Sequence, residues 1–488
     1  MAADYDVVIL GAGFGGLGMA ASLKSANIQS FVILEQEDAL GGTWRDNIYP
    51  GAACDTESHL YCFAFSYHLG VSRLYARQPE LLAYAQRIAS QNELEPHIRY
   101  GQRVVSADWV ENETFWRIGL ASGTVVTARI FIPAWGQLNR PFIPTFPGQS
   151  NYTGTAFHSA RWPRDIDLSG KRVASIGNAA SAIQYIPEIA PAVNQLVVFQ
   201  RSPNWIVPRN DHLYSTEELK RFSDPVAFTE DRRALFDWRE TTFERMLEGS
   251  DDAAEMEQLA RQHVQAQVPD PELRAKLIPD FPLGCKRVLR SDDYYPALTR
   301  DNVTLETAAV SSFVPEGIIT TDGTLHPVDV VIYGTGFETQ SFQGPVDVHG
   351  LSAHSLRDTW KDGAFAYLGI TVPQYPNLFL IYGPNTNLGH NSILSMLEAQ
   401  FGYVVQAIEI ILERPNQAIE VREEVARQYD AELQASMAGT AWAGNCTSWY
   451  KNANGRIVNN WSGTVQSYKD ITAELRPCDY LRTVQSAR

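Results

Sequence analysis

The stretch VVILGAGFGGLGMA, residues 7–20, decides the fold. Val7, Val8, Ile9 and Leu10 make an apolar run of the length of a buried parallel strand, and Gly11, Gly13 and Gly16 follow it at GxGxxG spacing. Each glycine has its own task. Gly11 permits the tight turn, Gly13 lets the backbone approach a pyrophosphate, and Gly16 lets the next helix, beginning near Leu17, lie close on the strand. That helix N-terminus offers unpaired N–H groups and partial positive charge to phosphates. Such a turn is weak evidence alone, but here a second apolar strand, FVILE (residues 31–35), ends in an acid. Glu35 stands twenty residues after Gly15. A carboxylate there accepts hydrogen bonds from a ribose 2′-OH and repels a 2′-phosphate, which suits FAD.

Working outward, KRVASIGNAASAIQYI (residues 171–186) is an eroded copy of the same turn. Gly177 is kept, Ala179 and Ala182 take the other two glycine positions, and Ser181 joins the candidate cofactor contacts. In isolation this segment is as ordinary a strand–turn–helix as it is a nucleotide site. Its support lies downstream, where the strand QLVVFQ (residues 195–200) is followed by Arg201 and Ser202 instead of an acid. A guanidinium there clamps a 2′-phosphate through paired N–H donors, and the hydroxyl adds another. NADPH is therefore favoured over NADH. Two such units predict an α/β fold with two Rossmann-like dinucleotide-binding domains, one for FAD and one for NADPH.

Two more apolar strands end in small-residue turns: IFIPAWGQL (residues 130–138, with Ala134 and Gly136) and VVIYGTGF (residues 330–337, with Gly334, Thr335 and Gly336). In flavoproteins with two nucleotide domains, such turns mark where the chain crosses between them. The predicted division is a discontinuous FAD domain (1–140 and 338–488), an NADPH domain (141–205 and 285–337) and a helical insertion within the latter (206–284). The insertion is charged and helical in pattern, from STEELKRF through DAAEMEQLARQHVQAQV, and reads as a solvated amphipathic cover over a cleft. Further on, YPNLFLIYGPNTNLGHNS (residues 375–392) reads as a strand followed by a polar loop, leading into a long helix over 393–413.

Composition narrows the function classes. At 488 residues the chain has ample length for two or more domains. A formal charge of −16, with no basic patch interleaved with aromatics, argues against nucleic acid. No apolar stretch reaches bilayer-spanning length, and the N-terminus lacks a basic signal-peptide head, so a cytoplasmic location is expected. The five cysteines form no CxxC or CxxxxC pair and the ten histidines no paired ligand spacing. That pattern excludes a sequence-local redox disulfide and argues against a metal.

Four further segments carry a more specific resemblance: GGTWRDNIYPGAACD (41–55), YTGTAFHSARWP (152–163), GCKR (284–287) and SWY (448–450). Together, and in this order over almost the whole chain, they resemble the class B flavoprotein monooxygenases and within them the Baeyer–Villiger monooxygenases. The family fingerprint FxGxxxHxxxWP is matched at Gly154, His158, Trp162 and Pro163, with Tyr152 standing where the family has Phe. Trp162 is informative because related nitrogen- and sulfur-oxygenating enzymes usually carry another aromatic there.

The resemblance implies roles residue by residue. Arg287 corresponds to the arginine beside the flavin, Asp55 to the aspartate that pairs with it, and Trp449 to a C-terminal tryptophan whose indole N–H serves the nicotinamide and substrate pocket. Lys286 corresponds to a lysine reaching the NADPH 2′-phosphate. Thr43, Trp44 and Gln137 match positions along the flavin, and Gly154, His158 and Trp162 a hinge between domains. The implied reaction inserts one atom of O2 beside a ketone carbonyl through a C4a-peroxyflavin, giving an ester or lactone. The alternative on the same scaffold is oxygenation of sulfur or nitrogen in small molecules, sulfides included. A flavin protein without oxygen transfer is disfavoured by the retained Arg287, Asp55 and Trp449. A monomer and a homo-oligomer both fit the sequence.

Overall fold

A computed structural model describes residues 3–484 of the chain. The strands are β1 (Tyr5–Leu10), β2 (Phe31–Leu34), β3 (Ile98–Arg99), β4 (Val104–Val110), β5 (Phe115–Leu120), β6 (Val125–Pro133), β7 (Thr155–His158), β8 (Arg172–Ile176) and β9 (Gln195–Phe199). The short pair β10 (Ile206–Val207) and β11 (Leu289–Arg290) follows, then β12 (Val303–Glu306), β13 (Val310–Val314), β14 (Gly317–Thr320), β15 (Leu325–Pro327), β16 (Val330–Tyr333) and β17 (Asp347–His349).

Two sheets organise the molecule. The first runs β17-β4-β5-β6-β1-β2-β3, with β1 parallel to both β2 and β6 and centred between them. Val7, Val8 and Ile9 are completely buried there, as a parallel strand covered on both faces requires. The second runs β12-β9-β8-β16-β7, all parallel, with Val173, Val331 and Ile332 fully buried. Their β1 and β8 strands each lead through a glycine turn into a helix, Phe14–Ser25 and Ala182–Ile189 respectively. Both turns therefore sit at the carboxyl ends of parallel strands, where open α/β sheets bind ligands.

The expected strand within 375–392 does not form as one. Leu378 makes a single bridge to Phe131, and the Phe379 and Ile381 N–H groups donate to Phe131 and Pro133. Asn377, however, adopts a left-handed φ of 54° and spends its amide on the carbonyls of Arg129 and Gln417 and on the N–H of Ile419. This side chain ties β6 to the strand Gln417–Val421 in place of a regular ladder. The helix after it spans Ile393–Leu412.

Helices of the insertion span Thr216–Phe222, Pro225–Thr241, Asp251–Gln267 and Pro271–Leu277. They are less solvated than their composition suggests. Arg239 forms a buried bidentate pair with Glu57 at 2.7–2.9 Å, Asp231 meets the buried His59 ring at 2.7 Å, and Arg232 meets Glu398 at 3.3 Å. The opposite face leaves Val226, Trp238 and Leu259 exposed. β10 and β11, paired in parallel, form the insertion's neck. A disulfide, Cys285–Cys446, joins residues 161 positions apart with Cα atoms 6.2 Å apart, a pairing that sequence spacing could not reveal.

Candidate active site

The first glycine turn has no room for side chains. A Cβ on Gly11 would lie 2.9 Å from the Ala134 carbonyl oxygen, and one on Gly16 would lie 1.9 Å from that of Gly11. Gly13 faces Gly42 of the 41–55 segment so closely that a Cβ on Gly42 would come 3.1 Å from its Cα. Two bare backbones thus meet in a cradle of the kind a pyrophosphate occupies. Behind it the buried Glu35 carboxylate accepts the Ala12 N–H at 2.8 Å, the Glu37 N–H at 3.1 Å and Arg45 Nη1 at 3.1 Å. Arg45, in the short helix Thr43–Asp46, shows nothing of this partner in sequence, because the contact is made only by the fold.

Along the same cleft, Thr43 is exposed, and Trp44 is buried with its indole N–H donated to the Tyr61 hydroxyl at 3.3 Å. Gln137 is 4 % exposed, yet neither its amide oxygen nor its nitrogen has a partner among the described residues. A buried, unsatisfied amide costs roughly 1–3 kcal/mol, so a polar ligand edge is the natural complement. Cradle, carboxylate and orphaned amide together fit a flavin dinucleotide.

The eroded second turn has a steric explanation. Gly177, at φ 108°, abuts Gly334, whose carbonyl oxygen would lie 2.3 Å from an added Cβ. Ala182 also faces Gly334, its methyl only 3.4 Å from where a Gly334 side chain would begin. The close approach usually provided by a third glycine is provided here by the opposite strand. Beyond it, Lys286 Nζ donates to Ser202 Oγ at 2.7 Å, while Arg201 is exposed. Burial, and then the like charge of Arg201, depress the Lys286 pKa, with Asp280 opposing more weakly. Two neighbouring cations short of counter-charge have the chemistry that suits an anion such as a phosphate.

Arg287 pairs with Asp55 of the 41–55 segment, whose Gly42 meets Gly13 of the first turn and whose Gly51 meets Gln184 of the helix after the second. Arg287 Nη2 lies 2.8 and 2.7 Å from the two Asp55 carboxylate oxygens and its Nε 3.2 Å from one of them. Asp55 raises the guanidinium pKa above its ordinary value against the opposing effect of burial. For Asp55, burial works against ionisation, but Arg287 overrides it and the carboxyl stays below its usual range. Tyr382 and Tyr450 lie within electrostatic reach of Arg287, and burial pushes the Tyr450 hydroxyl up to about 12. Trp449 packs tilted against Tyr450 with ring centroids 4.7 Å apart, and its carbonyl is held by Gln340 Nε2 at 2.7 Å and Asn459 Nδ2 at 2.6 Å. Its indole N–H has no partner among the described residues.

A family model described as pyridine nucleotide-disulphide oxidoreductase matches residues 8–221. A Baeyer–Villiger monooxygenase from Streptomyces coelicolor is 38% identical over 478 residues, covering 97% of this chain and 92% of its own. The chain belongs to the Baeyer–Villiger monooxygenase family. A cyclohexanone 1,2-monooxygenase from Acinetobacter is 30% identical over 97% of this chain and 94% of its own. Among solved structures, that of OTEMO in complex with FAD and NADP matches at a TM-score of 0.88, with 27% identity, over 99% of this chain and 100% of that one.

In this member of the Baeyer–Villiger family the fingerprint segment forms β7 and the turn after it. His158 Nδ1 accepts the Ala160 N–H at 3.1 Å, which leaves the ring proton on Nε2, donated to the Gly336 carbonyl at 2.9 Å. Burial lowers its pKa to about 4, against the opposing Gly336 bond. A neutral ring with both nitrogens occupied by backbone is a strut, not a proton carrier. Tyr152 explains its own departure from Phe, because its hydroxyl donates to the Val328 carbonyl at 3.2 Å while its ring covers Gly154, where a Cβ would strike it. Trp162 packs edge-on against Phe157 and tilted against Tyr185 in the second sheet's core. No group of three or more metal-ligating side chains converges among the described residues, and no described helix is long and apolar enough to cross a membrane.

Proposed function

We propose that this chain is an NADPH- and FAD-dependent Baeyer–Villiger monooxygenase that inserts one oxygen atom from O2 next to the carbonyl of a small-molecule ketone, giving an ester or lactone. The observation that carries the reading is the bidentate Arg287–Asp55 pair, which joins the segment that packs on the first glycine turn to the residue that follows Lys286, itself bonded to Ser202 beside Arg201. Reduced by NADPH, FAD supplies the electrons with which O2 delivers one atom to the substrate and the other to water.

The chain's own residues set the conditions for that chemistry. Gly11, Gly13, Gly16 and Glu35 hold the flavin nucleotide, Thr43, Trp44 and Gln137 line its ring and phosphates, and Gly177 with Ser181 receives the second pyrophosphate. Arg287 keeps its proton at any working pH and stabilises negative charge developing on oxygen beside it. Asp55 fixes its fork without neutralising the donors that point elsewhere. Tyr61, Tyr382 and Tyr450 hold water out, and Trp449 offers its unpartnered indole N–H to nicotinamide or substrate. Gly154, His158 and Trp162 act as the hinge. We divide the chain into 1–140 with 338–488, 141–205 with 285–337, and 206–284, a reading that the membership of the two sheets supports. We assign the enzyme to the cytoplasm, the compartment that supplies NADPH, where the Cys285–Cys446 bridge is unusual.

The test is a panel of ketones and sulfides incubated with enzyme, NADPH and O2, with products identified by mass spectrometry. Ester or lactone formation at rates exceeding sulfoxidation is expected. Sulfoxides as the only oxygenated products would overturn the ketone assignment.

A further inference from the structure

Arg290 stands three residues beyond Arg287 on β11, the strand that closes the insertion's neck against Val207 of β10. It is half-buried, and among the described residues its guanidinium has neither a hydrogen bond nor an ion pair. Arg239, Glu57 and Asp55 lie within electrostatic reach, as does Tyr75, and Arg290 in turn acts on Arg245. Both carboxylates are already taken: Asp55 by Arg287 with two oxygens, Glu57 by Arg239 with two oxygens and by the Tyr75 hydroxyl at 3.2 Å. Arg245 has only a loose contact with Asp252 at 3.9 Å. Arg209, two residues past Val207 at the same end of the neck, donates to the Cys54 carbonyl and lies over the Tyr75 ring at 5.2 Å, with its buried Nε unpartnered.

Asp292, whose oxygens accept the Arg209 and Asn210 backbone N–H groups at 2.9 and 2.8 Å, is a carboxylate without a paired cation among the described residues at this end of the neck, and two guanidiniums stand against it, so matching charges leaves positive charge over. Arg287 is balanced by Asp55 and Arg239 by Glu57, whereas Arg290 and Arg209 have no carboxylate of their own. Burial, and then the like charge of Arg239, hold the Arg290 pKa below its ordinary value, a cost that an arriving anion relieves. The chain carries −16 overall, so a local cationic excess beside the reacting centre is not a consequence of composition.

We infer that Arg290, assisted by Arg209, forms a carboxylate-binding subsite, and that the substrates this enzyme prefers are oxo-carboxylates: ketones that carry a carboxylate on the same carbon chain. This rests on the ketone reading above. A planar guanidinium with free N–H groups matches a carboxylate with two parallel hydrogen bonds. Its place on β11, in sequence next to the Arg287 segment, sets the carboxylate near the carbonyl under attack, so the anion orients the chain for oxygen insertion.

The anion could also be a phosphate of the dinucleotide, and the test separates the two. 4-Oxopentanoate and 6-oxoheptanoate are compared with their methyl esters in wild type, Arg290→Met and Arg290→Lys, reading kcat/KM for the ketone and KM for NADPH. Wild type is expected to favour at least one acid over its ester tenfold or more. Arg290→Met removes that preference and Arg290→Lys restores part of it. An acid-to-ester ratio unchanged in Arg290→Met overturns the inference, and a tenfold rise in the NADPH KM with that ratio intact assigns the charge to the dinucleotide instead. Ester turnover by wild type checks the ketone reading separately, since that reading fails if neither acid nor ester is oxygenated while NADPH is still consumed.

Discussion

Arg287 and Asp55, separated by 232 positions in sequence, meet through three hydrogen bonds of 2.7–3.2 Å at the seam between two nucleotide-binding sheets. Asp55 arrives on the 41–55 segment, which also brings Gly42 against Gly13, and Arg287 arrives beside Lys286 and the disulfide that fastens the C-terminal SWY segment. One ion pair thus links the glycine cradle of the first turn, the Lys286–Ser202 contact and the tyrosines beside Arg287.

Arg287→Ala should separate the two halves of the catalytic cycle. Flavin reduction by NADPH, followed by loss of the flavin absorbance under anaerobic conditions, should stay within a few-fold of wild type. Ester formation should fall about 10²–10³-fold, the size of effect seen when one preorganised charge-stabilising group is removed. Arg287→Lys should recover only part of it, because a point charge cannot reproduce the paired grip on Asp55. Ketone oxygenation by Arg287→Ala at the wild-type rate would remove Arg287 from the chemistry.

Arg201→Ala should distinguish the two nicotinamide cofactors. The exposed Arg201 and the Ser202-bound Lys286 are placed to share the 2′-phosphate that only NADPH carries. Loss of a charge-assisted contact of this kind costs on the order of 2–5 kcal/mol when buried, and less at this exposed position. Steady-state kinetics should show the NADPH KM rising at least tenfold with the NADH KM hardly moved. Equal changes for both would contradict the clamp.

The parts of this molecule legible in sequence are those where a local steric demand leaves a residue signature. Gly11 and Gly16 are required by contacts of 2.9 and 1.9 Å with nearby backbone, and so the first turn could be read outright. The second could not, because its missing glycine is replaced by Gly334, far away in sequence. The same reason hides the Glu57–Arg239 pair, the Arg45 contact to Glu35 and the tyrosines around Arg287, each of which is made by the fold and not by spacing. The expected strand at 375–381 failed for a different reason: an apolar run gives no sign that Asn377 will take a left-handed conformation and divert the ladder.

Stability should fall on mild acidification. His158 is held near 4 and His68 near 3, both chiefly by burial, against 6.5 when unfolded. Between pH 6.5 and 4 the unfolded chain therefore binds protons that the folded chain does not, so stability is fully present above 6.5 and is lost as pH falls through this window. A shift of this size corresponds to roughly 3 kcal/mol for His158. His158→Gln can keep both backbone hydrogen bonds without titrating. Denaturant unfolding at pH 7 and pH 4.5 should give a smaller difference for this variant than for wild type, and an identical difference would rule out His158 as a source of acid sensitivity.

The Cys285–Cys446 bridge makes the pocket's last wall depend on a covalent tie. Cys285 precedes Lys286 and Arg287, and Cys446 lies three residues before Trp449, so the bond joins the segment holding the cations to the loop holding the aromatic pair. Non-covalent support for that loop comes from the Trp449 carbonyl with Gln340 and Asn459, from Lys451 Nζ on the Ala443 and Gly444 carbonyls, and from the buried Tyr450 ring, and the bridge adds to it. Cross-links that close long loops typically contribute about 2–4 kcal/mol, mainly by restricting the unfolded chain. Cys446→Ser should accordingly lower Tm, and dithiothreitol should lower the Tm of wild type toward that of the variant while leaving the variant itself unchanged. Because the loop also carries Trp449 and Tyr450, the KM for ketone should rise more than the rate of flavin reduction falls. A wild-type Tm indifferent to reductant, with two free thiols titrating at these positions, would show that the folded loop holds without the bridge.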